Sequence, residues 1–419
     1  MENKLEIRQR DANLKSKWKG VNDKVPVNYQ FVFETPEREE SFLMKQFPTP
    51  ELKKKFKDYR EEWYRRGKEL DAGEIPLSVT VELVSTCNLA CTMCYTITEK
   101  FQNSVIGAQR MIPWPIVKNI IDECAELGVP SMLFSWRGES TLYRQRDEDG
   151  NIIRFSDVLS YARKKGILEI ASLTHGQLLK GELAEQVVKA QPNWINFSVD
   201  GSDNTYNDIR TPVNKRGTDY NAFEQVINNI KNLVRLRNKY NQTRPQIRTN
   251  SIYPAIANNK EEYRKKMIEA GVDLITINEV FDYRWKEVPD EMIMDDWACS
   301  FPFQRLVVSS NGIILPCTGA TNEEENMVLG RYNGTPEKKV KCIDGKDSKI
   351  DISEIKIKDA WNSSQIKWIR DQHKSYKRKE ITPGCRNCHH GMKKHGYEFV
   401  PEKWDENENE WSEHQTRVR

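Results

Sequence analysis

Cys87, Cys91 and Cys94 form a C-x3-C-x2-C array in the stretch VELVSTCNLACTMCY, residues 81–95, directly after an apolar, β-branched run. Three thiolates this close can ligate three irons of one 4Fe–4S cube and leave the fourth iron open to a non-protein ligand. A zinc site normally closes with four ligands, and no fourth Cys or His lies nearby. The spacing also departs from the C-x2-C pairs of ribbons and fingers.

A second group lies far downstream. Cys299 and Cys317 bracket two short apolar runs, 306–309 and 313–315, on either side of Asn311-Gly312. Asn-Gly favours the positive φ angles of a type I′ hairpin turn, which brings both cysteines towards one end of the two strands. Cys385 and Cys388 add a C-x2-C knuckle behind a helical stretch at 357–376. Four cysteines make a closed site, for which structural zinc and an iron–sulfur cluster compete evenly on chemistry alone. Of the other two cysteines, Cys124 falls inside a helix, as a packed core residue. Cys342 sits in a charged insertion, 331–349, as an exposed loop thiol or as a catalytic thiol.

The elements that must position these residues follow from periodicity. Strand patterns at 77–84, 131–135, 168–173, 194–199, 246–252 and 272–278 alternate with amphipathic helices at 113–127, 155–165, 181–190, 220–240 and 261–270. Gly128, Gly166 and Gly271 stand at helix ends, where a left-handed cap wants glycine. Such alternation means βαβ units and a parallel sheet, here an α/β partial (β/α)6 TIM-like barrel with a small C-terminal β-hairpin and helix domain. Active groups of such barrels sit at the carboxyl ends of the strands. The expected division is 1–75, a helical or irregular extension; 76–290, the barrel; 291–395, the second cysteine domain; and 396–419, a charged tail. In the extension, 51–70 reads as a helix with Phe56, Tyr59, Trp63 and Tyr64 as a packing stripe. A leading helix is favoured over a peptide-binding winged-helix unit, because only 25–34 looks strand-like.

Composition narrows the class. Against 65 Lys and Arg stand 62 Asp and Glu, a net charge of +3, which gives no electrostatic case for nucleic acid. No apolar run approaches the roughly 20 residues of a membrane span, and the charged N-terminus lacks the apolar core of a signal peptide. The expected compartment is the cytoplasm, where thiols stay reduced and free to bind metal.

The first array, with Asn88, Leu89 and Met93, resembles the signature of the radical S-adenosylmethionine (radical SAM) enzymes. In that family the open iron chelates S-adenosylmethionine, and an electron from the cluster cleaves the sulfonium to a 5′-deoxyadenosyl radical. The strand ends carry further likenesses. Trp136-Arg137-Gly138-Glu139-Ser140 resembles the family's Gly-Gly-Glu-Pro turn, with Arg137 for the first Gly and Ser140 for the Pro; the resemblance implies contact of Gly138 and Glu139 with the methionyl amino group. Thr174-His175-Gly176 stands in place of Thr-Asn-Gly. Ser198-Val199-Asp200-Gly201 is similar to Ser-Leu-Asp-Gly, which places Ser198 or its neighbours at the ribose, and Arg210 is the implied carboxylate ligand. Taken singly, each turn reads equally well as a glycine bend or a helix cap.

Asn311-Gly312, Pro316-Cys317, Leu329-Gly330 and Ala360-Trp361 before the knuckle resemble the SPASM/twitch extension of the same family. That likeness favours a second, auxiliary 4Fe–4S cluster over zinc, held by Cys299, Cys317, Cys385 and Cys388. The resemblance spans residues 76–395. It implies a flavodoxin- or ferredoxin-type reductant and hydrogen abstraction from a small polar, sugar- or aminocyclitol-like substrate, oxidised with the auxiliary cluster as electron acceptor. Epimerisation of such a substrate, or maturation of a ribosomal peptide, are the alternatives within the family; a zinc-binding protein is the alternative outside it. His389, His390 and His395 follow the knuckle as polar surface, or as groups that touch substrate.

Overall fold

Short β-branched and apolar runs, stopped by glycines or capped turns, lay down the framework of the computed structural model. It describes residues 41, 44–97, 101, 111–213, 221–256, 258–278, 290, 293–294, 297–335, 352–388 and 390, with strand segments at 27–28, 397–398, 403–405, 410–412 and 417–418.

Strand β1 (Val27–Asn28) and helix α1 (Pro50–Glu69) precede the barrel. The barrel strands are β2 (Ser78–Val81), β3 (Ser131–Leu133), β6 (Glu169–Thr174), β7 (Trp194–Ser198), β8 (Gln246–Ile252) and β9 (Leu274–Asn278), with a small hairpin, β4 (Arg144–Arg146) and β5 (Ile152–Arg154), after β3. Helices α2 (Trp114–Leu127), α3 (Phe155–Lys164), α4 (Gly181–Ala190), α5 (Asp203–Ile209), α6 (Ala222–Lys239) and α7 (Lys260–Glu269) connect them. Gly128 caps α2 at φ 77°, and Gly166 and Gly271 follow α3 and α7 at φ 86° and 83°.

These six strands pair in parallel in the order β2-β3-β6-β7-β8-β9. The sheet then runs on at both ends. Strand β9 takes β1 as its outer neighbour, and β2 takes β10 (Arg305–Val308) in parallel register, Ser78 opposite Arg305 and Val81 opposite Val308. Beyond β10 come β11 (Ile313–Leu315), β12 (Gly330–Tyr332) and β13 (Glu354–Ile355), which complete one 11-stranded sheet. The result is a partial TIM-like barrel whose backbone ladder continues into the second cysteine region.

Period-two alternation gives the barrel two unlike faces. Val79, Val81, Ile195, Phe197, Ile275 and Ile277 are buried in the core shared with the helices. Between them Thr80, Asn196 and Thr276 are buried on the opposite, inner face.

Two sequence readings need correction. The β10–β11 connection is not a type I′ turn, because positive φ falls on Gly312 alone (84°) and not on Asn311. The Asn311 side chain explains this: its Oδ1 accepts from Ser309 Oγ and from the Ile313 amide, which shapes the turn from within. The helical stretch at 357–376 is broken in two, α8 (Ile357–Asn362) and α9 (Ser364–Lys374). Ser363 is extended, and its hydroxyl accepts the Ile366 amide at 3.3 Å, so it starts a new helix as an N-cap.

Helix α1 covers the amino ends of the barrel strands. Phe56 stacks on Phe47 at 4.4 Å and meets Tyr59 edge-on. The Tyr59 hydroxyl donates to Glu169 Oε2 at 3.3 Å, where Ser131 Oγ also donates, while Trp194 Nε1 donates to Oε1. Those three residues open β3, β6 and β7, at the end of the barrel away from the cysteine loop. Helix α1 and the chain after it also tie down the C-terminal region: Gln304 Nε2 donates to the Trp63 carbonyl at 2.7 Å and Trp361 Nε1 to the Gly73 carbonyl at 3.2 Å. Phe56→Ala empties the centre of this aromatic cluster and is expected to cost about 3 kcal/mol, read as a lowered urea midpoint at unchanged slope.

Candidate functional site

The loop after β2 carries the first three cysteines, and the end of α5 with the chain beyond it clamps that loop. The Ala90 amide donates to the Thr211 carbonyl at 2.7 Å, Thr92 N to Ile209 O at 3.0 Å, and Val213 N to Asn88 O at 3.0 Å. Within the loop Cys94 N donates to Cys91 O, Leu89 N reaches Cys87 Sγ at 3.4 Å, and Cys94 Sγ lies 2.9 Å from Thr96 Oγ1. Burial pushes the Cys87 thiol up to about 12, with Glu139 adding to it. Burial also raises Cys91, to about 11, although the Arg210 guanidinium beside it pulls the other way. Burial thus favours the protonated thiols, and a metal ligand must displace those protons to take them as thiolates.

Among the described residues, no three His, Cys, Asp or Glu side chains are grouped to hold a metal ion. Thiolates on three corners of a cube bind three different irons and need not converge on one point.

The turn after β3 sits against this loop with no room to spare. A Cβ on Gly138 would lie 2.3 Å from the Val84 carbonyl oxygen and 2.6 Å from that of Thr86. The closeness lets the Glu139 amide donate to Thr86 O at 3.0 Å. Both oxygens of the Glu139 carboxylate accept hydrogen bonds: Oε1 accepts Thr141 N, Thr141 Oγ1 and Thr174 Oγ1, and Oε2 accepts the His175 amide at 2.9 Å. Burial opposes its ionisation, but the His175 ring and these hydrogen bonds outweigh it, so it titrates below the ordinary glutamate range.

Burial likewise holds His175 below the usual imidazole value, against the pull of Glu139. Its Nδ1 accepts the Gln177 amide at 3.0 Å, which leaves Nε2 to donate to Asn88 Oδ1 at 2.9 Å. The histidine at the end of β6 therefore holds the residue next to Cys87.

Asp200, at the end of β7, binds Arg210 through its Oδ2 (Nε 2.8 Å, Nη2 2.6 Å) and accepts the Ile252 amide on Oδ1 at 3.0 Å. Arg210 Nη1 is 3.8 Å from Cys91 Sγ. Burial works against the guanidinium charge, but Asp200 and Cys91 restore it, and its pKa is raised. Ser198 closes β7 two residues earlier, half-buried. Gly138, Glu139 and Arg210 thus meet the cysteine loop directly, Thr174 reaches it through Glu139, and Asp200 reaches it through Arg210.

Cys299, Cys317, Cys385 and Cys388 line one cavity, with Trp297, Gly319, His373 and His390. A Cβ on Gly319 would stand 3.5 Å from both Cys317 Sγ and Cys388 Sγ, so glycine leaves the space between the thiols open. The Cys299 amide donates to His373 Nδ1 at 3.2 Å, and Arg378, fully buried, donates from Nη1 to the Cys385 carbonyl at 2.8 Å. Burial raises Cys317 and Cys385 far above an ordinary thiol. The His390 ring meets Phe301 at 5.1 Å at the edge of this cavity. Cys342, His389 and His395 lie outside the described residues, and Cys124 is buried in the barrel core.

Sequence reasoning missed one group altogether. Arg137 binds Glu82 through Nε and Nη2, both at 2.7 Å, and Glu323 through Nη2 at 2.7 Å. All three side chains are at most 4% exposed. The signal was present as Arg137 in a glycine position and Glu82 within an apolar strand end, but Glu323 is 186 residues away.

The chain matches the radical SAM superfamily over residues 81–243 and an iron–sulfur cluster-binding (SPASM) domain over residues 299–389. Similar solved structures include BtrN in complex with AdoMet and 2-DOIA, 13% identical over 75% of this chain and 93% of that one, with a TM-score of 0.39. SuiB of Streptococcus suis bound to S-adenosylmethionine is 16% identical over 74% and 69%, with a TM-score of 0.45. The same protein bound to its precursor peptide SuiA gives 15% over 74% and 70%, with 0.46. No curated protein sequence matches significantly. Gly138→Ala is expected to force the β3 turn off the cysteine loop; iron bound after anaerobic reconstitution should fall by up to half, and retention of the full content would contradict the packing described.

Proposed function

Because the chain belongs to the radical SAM superfamily and carries an iron–sulfur cluster-binding SPASM domain, we propose that it oxidises a C–H bond of a small polar, carbohydrate-like substrate. When bound, a 4Fe–4S cluster with one iron open to S-adenosylmethionine supplies the electron that splits the sulfonium to a hydrogen-abstracting adenosyl radical, and an auxiliary cluster accepts the electron left on the substrate.

Cys87, Cys91 and Cys94 would hold the first cluster, in a loop whose backbone is pinned at Asn88, Ala90 and Thr92. Gly138 and Glu139 would present backbone carbonyls and a carboxylate to the methionyl amino group. Arg210, kept cationic beside Asp200, would pair with the methionyl carboxylate. Thr174 and Ser198, at the ends of β6 and β7, would meet the nucleoside. Cys299, Cys317, Cys385 and Cys388 would hold the auxiliary cluster; four protein ligands leave no iron open, which suits electron acceptance rather than substrate ligation.

One observation carries the reading: three thiols on a pinned strand-end loop and four around a separate cavity, joined by one sheet. The preference for a polar substrate rests on the inner face of the barrel. There the amide of Asn196 and the hydroxyl of Thr276 are buried with no hydrogen-bond partner among the described residues. Buried polar groups left unpaired are costly, and a hydroxylated ligand would satisfy them. No described helix is long and apolar enough to cross a membrane.

The test is anaerobic reconstitution followed by S-adenosylmethionine and dithionite. The protein should bind about eight irons and release 5′-deoxyadenosine. A Cys87→Ala, Cys91→Ala, Cys94→Ala triple variant should lose about half of the iron and all of the nucleoside. A Cys385→Ala, Cys388→Ala variant should also lose about half of the iron, yet still release the nucleoside without completing oxidation. A colourless protein carrying only zinc would overturn the assignment.

A further inference from the structure

Adjacent residues of the turn after β3 face in opposite directions. Glu139 reaches the end of β6, and His175 carries the contact to Asn88, beside Cys87. Arg137 and Trp136 reach instead into the loop that follows Cys317. Trp136 Nε1 donates to the Thr318 carbonyl at 3.0 Å, and Arg137 Nη1 to the Thr321 carbonyl at 3.2 Å. The guanidinium carbon lies 3.9 Å from the centre of the Trp136 ring.

The anchors on either side are themselves fixed. Glu82 Oε2, besides accepting from Arg137, accepts the Ser310 amide at 2.8 Å at the tip of the β10–β11 hairpin. Glu323 Oε2 accepts Asn311 Nδ2 at 2.9 Å from the same tip. Glu323 also has φ 51°, a left-handed backbone on a residue with a full side chain. Such a conformation persists only where its surroundings over-determine it. A buried charged triad adds little net stability compared with a packed apolar one, while removing one member is costly. What this triad does supply is a single allowed geometry for three segments far apart in sequence.

We propose that Trp136 and Arg137 are positioning residues that hold the loop after Cys317, and with it the four-cysteine site, at one fixed separation from the three-cysteine loop after β2. The inference deepens the two-cluster reading and rests on it for its spectroscopic arm. Neither residue touches the thiols; each acts through the loop it grips.

Two mild variants test this in the full chain. Trp136→Phe removes the Thr318 hydrogen bond and keeps the ring. Glu323→Gln keeps an acceptor and removes one charge. Tyr59→Phe, at the other end of the barrel, is the control for ordinary loss of stability. In the reconstituted, reduced holoenzyme, pulsed EPR should give one narrow distribution for the magnetic interaction between the two clusters. It should be shifted or broadened in Trp136→Phe and Glu323→Gln, and unchanged in Tyr59→Phe. Amide hydrogen exchange over residues 318–323 should rise about tenfold in the same two variants; this measurement requires no iron and decides the matter even if clusters do not form. If Glu323→Gln fails to fold, Trp136→Phe alone decides. Unchanged exchange and an unchanged interaction spectrum in a folded Trp136→Phe would overturn the proposal. Absence of 5′-deoxyadenosine would count against the catalytic reading instead, and leaves the exchange result to stand by itself.

Discussion

Taking a guanidinium out of water costs several kcal/mol, which only fixed and well-aligned acceptors return. Arg137 meets that condition with two carboxylates and a backbone carbonyl. Burial works against its charge, and Glu82 and Glu323 more than restore it. The acceptors come from the end of β2 and from the loop after β11, so neither segment can drift without leaving charge uncompensated. The next residue, Gly138, lies in van der Waals contact with the cysteine loop because it has no side chain. Charge on one side and the missing Cβ on the other make this short turn the place where the molecule's two metal-binding regions are aligned.

The thiols illustrate a related economy. Burial disfavours their ionised form at both sites, yet each site provides compensation nearby. At the first it is Arg210, cationic through Asp200. At the second it is the buried Arg378 guanidinium, which pulls the Cys385 thiol back down against burial. The protein scaffold fixes positions and supplies part of the charge that would stabilise thiolates, and the ligand they bind would supply the rest.

Much of the barrel was legible because its signals are local. The 181–190 helix and the 246–252 strand follow directly from periodicity, and the glycines after α2, α3 and α7 mark real left-handed positions. The hairpin was legible as a hairpin, but its turn was not, since Asn311 spends its side chain on the backbone and on Glu323 rather than adopting positive φ. Arg137 is the more instructive case. As a motif position it stands where the family has a glycine; in three dimensions it is the centre of a buried charge group whose partners lie 55 and 186 residues away. Periodicity carries no information about such pairings. The parallel register of β10 on β2 escaped for the same reason.

That register has a consequence for how the chain can be divided. Strand β2 is flanked on one side by β3 and on the other by β10, so a fragment cut between the two cysteine regions would bare a row of backbone amides and carbonyls along Ser78–Val81. An uncovered β-branched margin of this kind is a template for intermolecular pairing. Neither half is then an autonomous piece: the C-terminal strands cover an edge of the barrel sheet that would otherwise lie open to pairing.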